Sequence, residues 1–182
     1  MQKNSSLRTL VQCALFVALS VALYSVSYMI PIGGASGLRI GFSGIFKKIP
    51  CLLFGPWYGA AVCGLTDILG YLVAPQGAYI PMLTLVYVLQ GFMIGFLFKY
   101  INKIWKKDTF AALLIKLFIV FSISDIIMTI LSSLTLMLFI PALMKKGFVY
   151  VFVPRLVEEI VSIFICTYVD ACLLRIYQRI IK

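Results

Sequence analysis

The sequence predicts an all-α integral membrane protein, a bundle of six transmembrane helices forming one domain over residues 1–182. Three observations predict it. Hydrophobic residues make up 63% of the chain and mean hydropathy is +1.07, whereas a soluble domain has about 45–50% apolar residues. The excess lies in long runs separated by short polar punctuation. A length of 182 residues leaves room for six spans of roughly 20 residues each, with short loops and no separate soluble domain.

The first apolar run, from Leu10 to Ile30, is long enough to span and lacks a small-residue cleavage pattern, so it reads as a helix and not as a cleavable signal. Helices are expected near 9–30, 40–54, 56–74, 81–100, 110–135 and 149–177. The second is the shortest. Its sequence, "FSGIFKKIPCLLFG", carries Lys47, Lys48 and Pro50, which suits a segment screened by its neighbours. A break in the fifth is expected near Leu131 to Ser133, with the remainder capping the outside.

Charge sets the orientation. Lys3, Arg8, Lys99, Lys103, Lys106, Lys107, Arg175, Arg179 and Lys182 fall on one side of a six-span topology, and Arg39, Lys145 and Lys146 on the other. The positive-inside rule then places both termini in the cytoplasm and "APQGAYIP" in an external loop. The formal charge of +10 follows from this bias and from contact with anionic lipid headgroups, and requires no nucleic acid.

Ionisable groups in membrane helices face protein or a wet cavity, because lipid exposure costs several kcal/mol. On helix three, Ala60, Gly64, Asp67 and Tyr71 share one stripe. On helix six, "VPRLVEEIVSIF" places Arg155 three and four residues before Glu158 and Glu159, so that it can pair with either. Helix four offers Thr84, Tyr87 and Gln90, and helix five Asp125, Thr129 and Ser132 on one face. With this topology Asp67, Tyr71, Gln76, Tyr79, Thr84, Tyr87, Arg155, Glu158 and Glu159 gather in the outer half of the bundle, joined by Arg39 from the first external loop. That is the character of a small-molecule site, with apolar walls and a few placed polar groups.

Several chemistries are excluded. The chain has no histidine, which removes a Ser-His-Asp triad and His-based metal centres. It has no Gly-Lys dipeptide and so no Walker A phosphate loop. Cys13, Cys51, Cys63, Cys166 and Cys172 all sit in apolar runs without a CxxC pair, and read as small buried hydrophobes. No cofactor, metal or catalytic residue is implied. On helix one, Ala14, Ala18 and Ala22 recur every four residues, a small-residue strip suited to close helix packing.

The segments "LRIGFSGI", "LLFGPWYGAAVCGLTDILGYLVAPQGAYIPMLTL" and "VPRLVEE", together with the alanine strip, resemble the substrate-binding S components of energy-coupling factor (ECF) vitamin importers, in particular the folate family. The resemblance implies a six-helix membrane subunit in the prokaryotic cytoplasmic membrane that captures a vitamin outside. It also implies docking through helix one, at Ala14, Ala18 and Ala22, on a coupling subunit driven by two ATPases. Lys47 and Lys48 depart from it, occupying a stretch that is usually apolar there, and Glu158 adds an acid. The added acid suits a ligand rich in N–H donors, a pterin of the folate type or a 7-deazaguanine precursor of queuosine. The competing classes are an autonomous transporter, for which no inverted repeat is evident, and a membrane enzyme using its carboxylates as acid and base.

Overall fold

Proline and glycine set the corners of this chain. Pro56 and Pro81 open two of its helices, where the missing N–H costs nothing. Gly55, at φ 91°, turns the chain between two successive helices within a single residue, a conformation that side chains beyond glycine rarely adopt. The computed structural model describes residues 2–26, 28–32, 35–40, 43–75, 79–105, 109–139 and 147–181. Among them are helices α1 (Gln2–Val26), α2 (Ser43–Phe54), α3 (Pro56–Val73), α4 (Pro81–Ile104), α5 (Phe110–Phe139) and α6 (Phe148–Ile181), with strands β1 (Tyr28–Ile32) and β2 (Ala35–Ile40) between α1 and α2. Helices therefore dominate, as the sequence predicts.

Two expectations about boundaries are corrected. The first helix ends at Val26, and the chain continues as an antiparallel ribbon in which Tyr28 faces Ile40 and Met29 faces Arg39. Hydropathy alone cannot distinguish an apolar strand from the end of an apolar helix. The signal lay in "YMIPI" and "ASGLRI" flanking Gly33 and Gly34, a glycine pair between two strand-like runs. The break expected near Leu131 is also absent: α5 runs unbroken through Ser132 and Ser133 to Phe139. Both serines are buried: Ser132 donates its hydroxyl to the Thr129 carbonyl at 3.2 Å within the helix, and the Ser133 hydroxyl has no hydrogen-bond partner among the described residues. The external cap expected after α5 falls largely outside the described residues.

Helices α1, α4 and α5 are long and apolar enough to cross a membrane. Large apolar side chains on the perimeter are exposed, among them Leu15 at 65%, Leu72 at 69% and Phe164 at 61%. A lipid-facing surface has this character. The interior is built where α2, α5 and α6 meet, around Ile45, Ile49, Leu117, Phe121, Ile163 and Leu174.

Helices α3 and α4 approach through glycine. A Cβ on Gly95 would lie 2.7 Å from the Cα of Pro56, one on Gly64 would lie 2.6 Å from a Val88 methyl, and one on Gly91 would collide with the Gly59 carbonyl. Small residues at such crossings let the two backbones close, and dispersion then holds them. This close seam fixes the relative position of Asp67 on α3 and Thr84 on α4.

Candidate functional site

The acid that sequence analysis placed within the apolar run of α3 is half-buried and engaged by the next helix. Thr84 donates its hydroxyl to Asp67 Oδ2 at 2.7 Å, and Tyr79 lies 2.7 Å from the same Thr84 oxygen. Thr84 has one hydroxyl proton. Since that proton goes to Asp67, the Tyr79 hydroxyl is the donor to Thr84, and the three form a directed relay from Tyr79 through Thr84 to Asp67. The Tyr71 ring packs on Tyr79 with centroids 5.0 Å apart and planes tilted 47°. Four of the expected residues are thus in mutual contact, on α3, on α4 and on the turn before α4.

Tyr87, one turn along α4 from Thr84, carries the Lys47 ammonium over its ring at 4.3 Å from the centroid. The field of Asp67 also reaches that ammonium. Arg155, Glu158 and Glu159 are half-buried on α6. Glu159 lies in the field of Asp125, Lys48 and Lys47. The pairing expected of Arg155 with a neighbouring glutamate is not made by its Nη1, a buried atom without a hydrogen-bond partner. Arg39 is described by its backbone only, on β2, a strand that packs against α6. Gln76 lies outside the described residues.

A second polar centre was not assigned to the site from sequence. Lys48 Nζ meets Asp125 Oδ2 at 2.6 Å, Gln90 Nε2 donates to Asp125 Oδ1 at 2.8 Å, and Lys48 also covers the Phe121 ring. A buried lysine requires a counter-charge, and Asp125 was the acid on the inward face of the fifth helix. Asp170 is 0% exposed, and among the described residues neither of its carboxylate oxygens has a hydrogen-bond partner.

Cys13, Cys51, Cys63 and Cys166 are buried, in keeping with their apolar settings. On α1, Cys13, Val17 and Ser20 turn inward, whereas Ala14, Ala18 and Ala22 are exposed. The alanine strip is therefore not consumed by packing within the chain.

Fold and site together define a class: a small membrane-embedded binding subunit whose polar groups are sequestered within a helical bundle, and whose sequence has no Walker A phosphate loop. The chain belongs to the family of ECF-type riboflavin transporter S components, which it matches over residues 4–179. That family comprises membrane-embedded transporter subunits, and three helices of this chain, long and apolar enough to span, fit a multi-pass membrane protein. The chain is also 31% identical over 123 residues to the folate transporter FolT of Clostridium novyi (strain NT). That match covers 67% of this chain and 64% of the relative, just under two thirds of its length.

Solved structures agree on the fold. FolT bound with folic acid superposes with a TM-score of 0.63 at 22% identity, covering 89% of each chain. The biotin S component of an ECF-type ABC transporter superposes with a TM-score of 0.71 at 19% identity, covering 96% of this chain and 95% of that one. The family description and these relatives name three different vitamins on one fold.

Proposed function

We propose that this chain captures a vitamin-like heterocycle at the outer face of the membrane and delivers it inward with a transmembrane coupling subunit and two ATPase subunits. Folate is the first candidate ligand and a 7-deazaguanine queuosine precursor the second; the family's description adds riboflavin. The observation that carries the capture role is the Tyr79–Thr84–Asp67 relay with Tyr71 packed on it. It offers a positioned carboxylate beside aromatic faces, which suits a planar ring bearing N–H donors.

The excess of basic residues near the termini and in the α4–α5 connection supports cytoplasmic ends, and with them an outward-facing relay. The exposed Ala14, Ala18 and Ala22 support docking of α1 on the coupling subunit, since small side chains let a partner helix approach closely. Arg39, Arg155, Glu158, Glu159 and Gln76 complete the proposed ligand shell, with Arg39 suited to a ligand carboxylate at the rim.

Mass spectrometry of ligand carried through purification, followed by titration calorimetry with folic acid, riboflavin and 7-aminomethyl-7-deazaguanine, tests the assignment. Sub-micromolar binding of one of the three is expected. Failure to bind any of them would remove the heterocycle reading.

A further inference from the structure

Two consecutive lysines within the bundle have opposite circumstances. Lys48 is fully committed, with its ammonium on Asp125 and its α2 turn thereby tied to α4 and α5. Lys47 is half-buried, and its ammonium rests on the π face of Tyr87 at 4.3 Å. Among the described residues that ammonium makes no hydrogen bond. A lysine has three N–H donors, and a ring face, which attracts the charge but accepts no conventional hydrogen bond, leaves their hydrogen-bonding capacity largely unmet. In a half-buried membrane site such donors seek an acceptor.

The backbone that presents Lys47 is fixed. Its carbonyl oxygen faces the Cys51 thiol at 3.4 Å and the Cys63 thiol at 3.8 Å, which ties this turn of α2 to α3. The Lys48–Asp125 ion pair holds the next residue. The ammonium is therefore aimed by two neighbouring anchors. Its target region is equally defined: Thr84 and Tyr87 are three apart on α4, so the residue under Lys47 leaves the helix about one turn from the one that bonds Asp67.

We propose that Lys47 is a specificity-determining residue of the ligand site, donating to a carbonyl oxygen on the ring edge next to the N–H edge taken by Asp67. The ligand class is then a neutral planar heterocycle with a lactam edge, a ring N–H beside a carbonyl. Charge balance favours a neutral ring over an anionic one. Asp125 offsets Lys48, and the Asp67 carboxylate contributes to the field at Lys47, so an extra negative charge on the ring edge would lack compensation near Asp67. This inference rests on the capture role proposed above, and adds to it which edge of the ring is read.

The test is calorimetry on the purified chain with folic acid, its 4-amino analogue, riboflavin and 7-aminomethyl-7-deazaguanine as probes. The 4-amino analogue exchanges the ring carbonyl for an amine, so an acceptor becomes a donor. Wild type is expected to prefer folic acid to the 4-amino analogue. Lys47→Met is expected to weaken folic acid by about tenfold or more, the loss of one charge-assisted hydrogen bond, while the 4-amino analogue, relieved of a donor facing a donor, binds as well as to wild type or better. Lys47→Arg, which keeps the charge and the donors, is expected to retain the preference.

A wild type that binds riboflavin alone is compared with Lys47→Met on riboflavin, with the same tenfold loss expected. Melting temperature checks folding, and Lys47→Gln replaces the methionine variant if that one unfolds. Equal binding by wild type and Lys47→Met, or equal weakening of both pteridines, would overturn the role of Lys47 while leaving capture intact. A wild type that binds only 7-aminomethyl-7-deazaguanine is compared with Lys47→Met on that ligand, with the same tenfold loss expected. Failure of wild type to bind any of folic acid, riboflavin and the deazaguanine would overturn the heterocycle reading and the lactam edge with it.

Discussion

Lys48 Nζ and Asp125 Oδ2 lie 2.6 Å apart, although 77 positions separate them in the chain, and both side chains are almost wholly removed from solvent. The Gln90 amide donates to the other carboxylate oxygen at 2.8 Å. An ion leaving water loses several kcal/mol of solvation, and a partner offsets this only if the remaining lone pairs are also satisfied. Gln90 meets that condition. The pair therefore ties α2 to α5 through α4, and α2 is the helix too short to be held by its own hydrophobic length.

Removing one member of such a pair leaves an uncompensated buried charge. Asp125→Ala is expected to destabilise the protein by about 3–5 kcal/mol, and Lys48→Met by a similar amount. The double variant Lys48→Met with Asp125→Leu is expected to recover most of the loss, because neither charge then remains. Unfolding of the detergent-solubilised protein measures all three. Additive losses in the double variant would show that the two side chains do not act as a pair.

The α3–α4 seam gives a second prediction. A Cβ at position 91 would lie 2.7 Å from the Gly59 carbonyl carbon and 2.8 Å from the Cys63 sulfur. Backbone cannot yield as a flexible side chain can. Gly91→Ala is expected to cost about 1–3 kcal/mol and to weaken ligand binding by separating Asp67 from Thr84. Gly44→Ala is the control, since nothing lies within 4 Å of its added Cβ, and its stability should be unchanged or slightly raised. Matching melting temperatures for Gly91→Ala and wild type would mean that the helices do not depend on this contact.

The bundle was legible in the sequence because hydropathy acts over whole segments. The stripe of Ala60, Gly64, Asp67 and Tyr71 was legible through helical periodicity, and the small residues in it are buried while the polar ones are half-buried. The β1–β2 ribbon was hidden because an apolar strand continues the hydropathy of the helix before it. The Lys48–Asp125 pair was hidden for a different reason. Partners 77 positions apart meet only after the order of helices in the bundle is known, and periodicity within one helix carries no information about that order.

The exposed strip on α1 gives a third prediction, bearing on assembly. Ala18→Trp places a large ring on a surface that the bundle itself does not cover. Folding and ligand binding by the isolated subunit are expected to stay near wild type, while assembly with the coupling subunit and uptake into cells are lost. Co-purification on a tagged coupling subunit, read beside calorimetry on the lone chain, separates the two effects. Weakened binding with assembly unchanged would assign the strip to internal packing.

The last prediction concerns Asp67, the acid that first marked this site. Asp67→Asn keeps the size of the side chain and one acceptor oxygen, which can go on receiving the Thr84 hydroxyl now 2.7 Å away. The relay from Tyr79 through Thr84 then survives, and stability should change by less than about 1 kcal/mol. The other end of the side chain becomes an N–H₂ donor. A ligand that presents ring N–H groups to this carboxylate would meet a donor where it needs an acceptor, losing about 2–5 kcal/mol of binding. The expected result is a protein with an unaltered melting temperature and an affinity for the bound vitamin reduced at least about thirtyfold. Titration calorimetry and thermal unfolding on the same preparation measure both. Wild-type affinity in Asp67→Asn would confine Asp67 to holding α3 against α4 and move ligand recognition to Glu158 or Glu159.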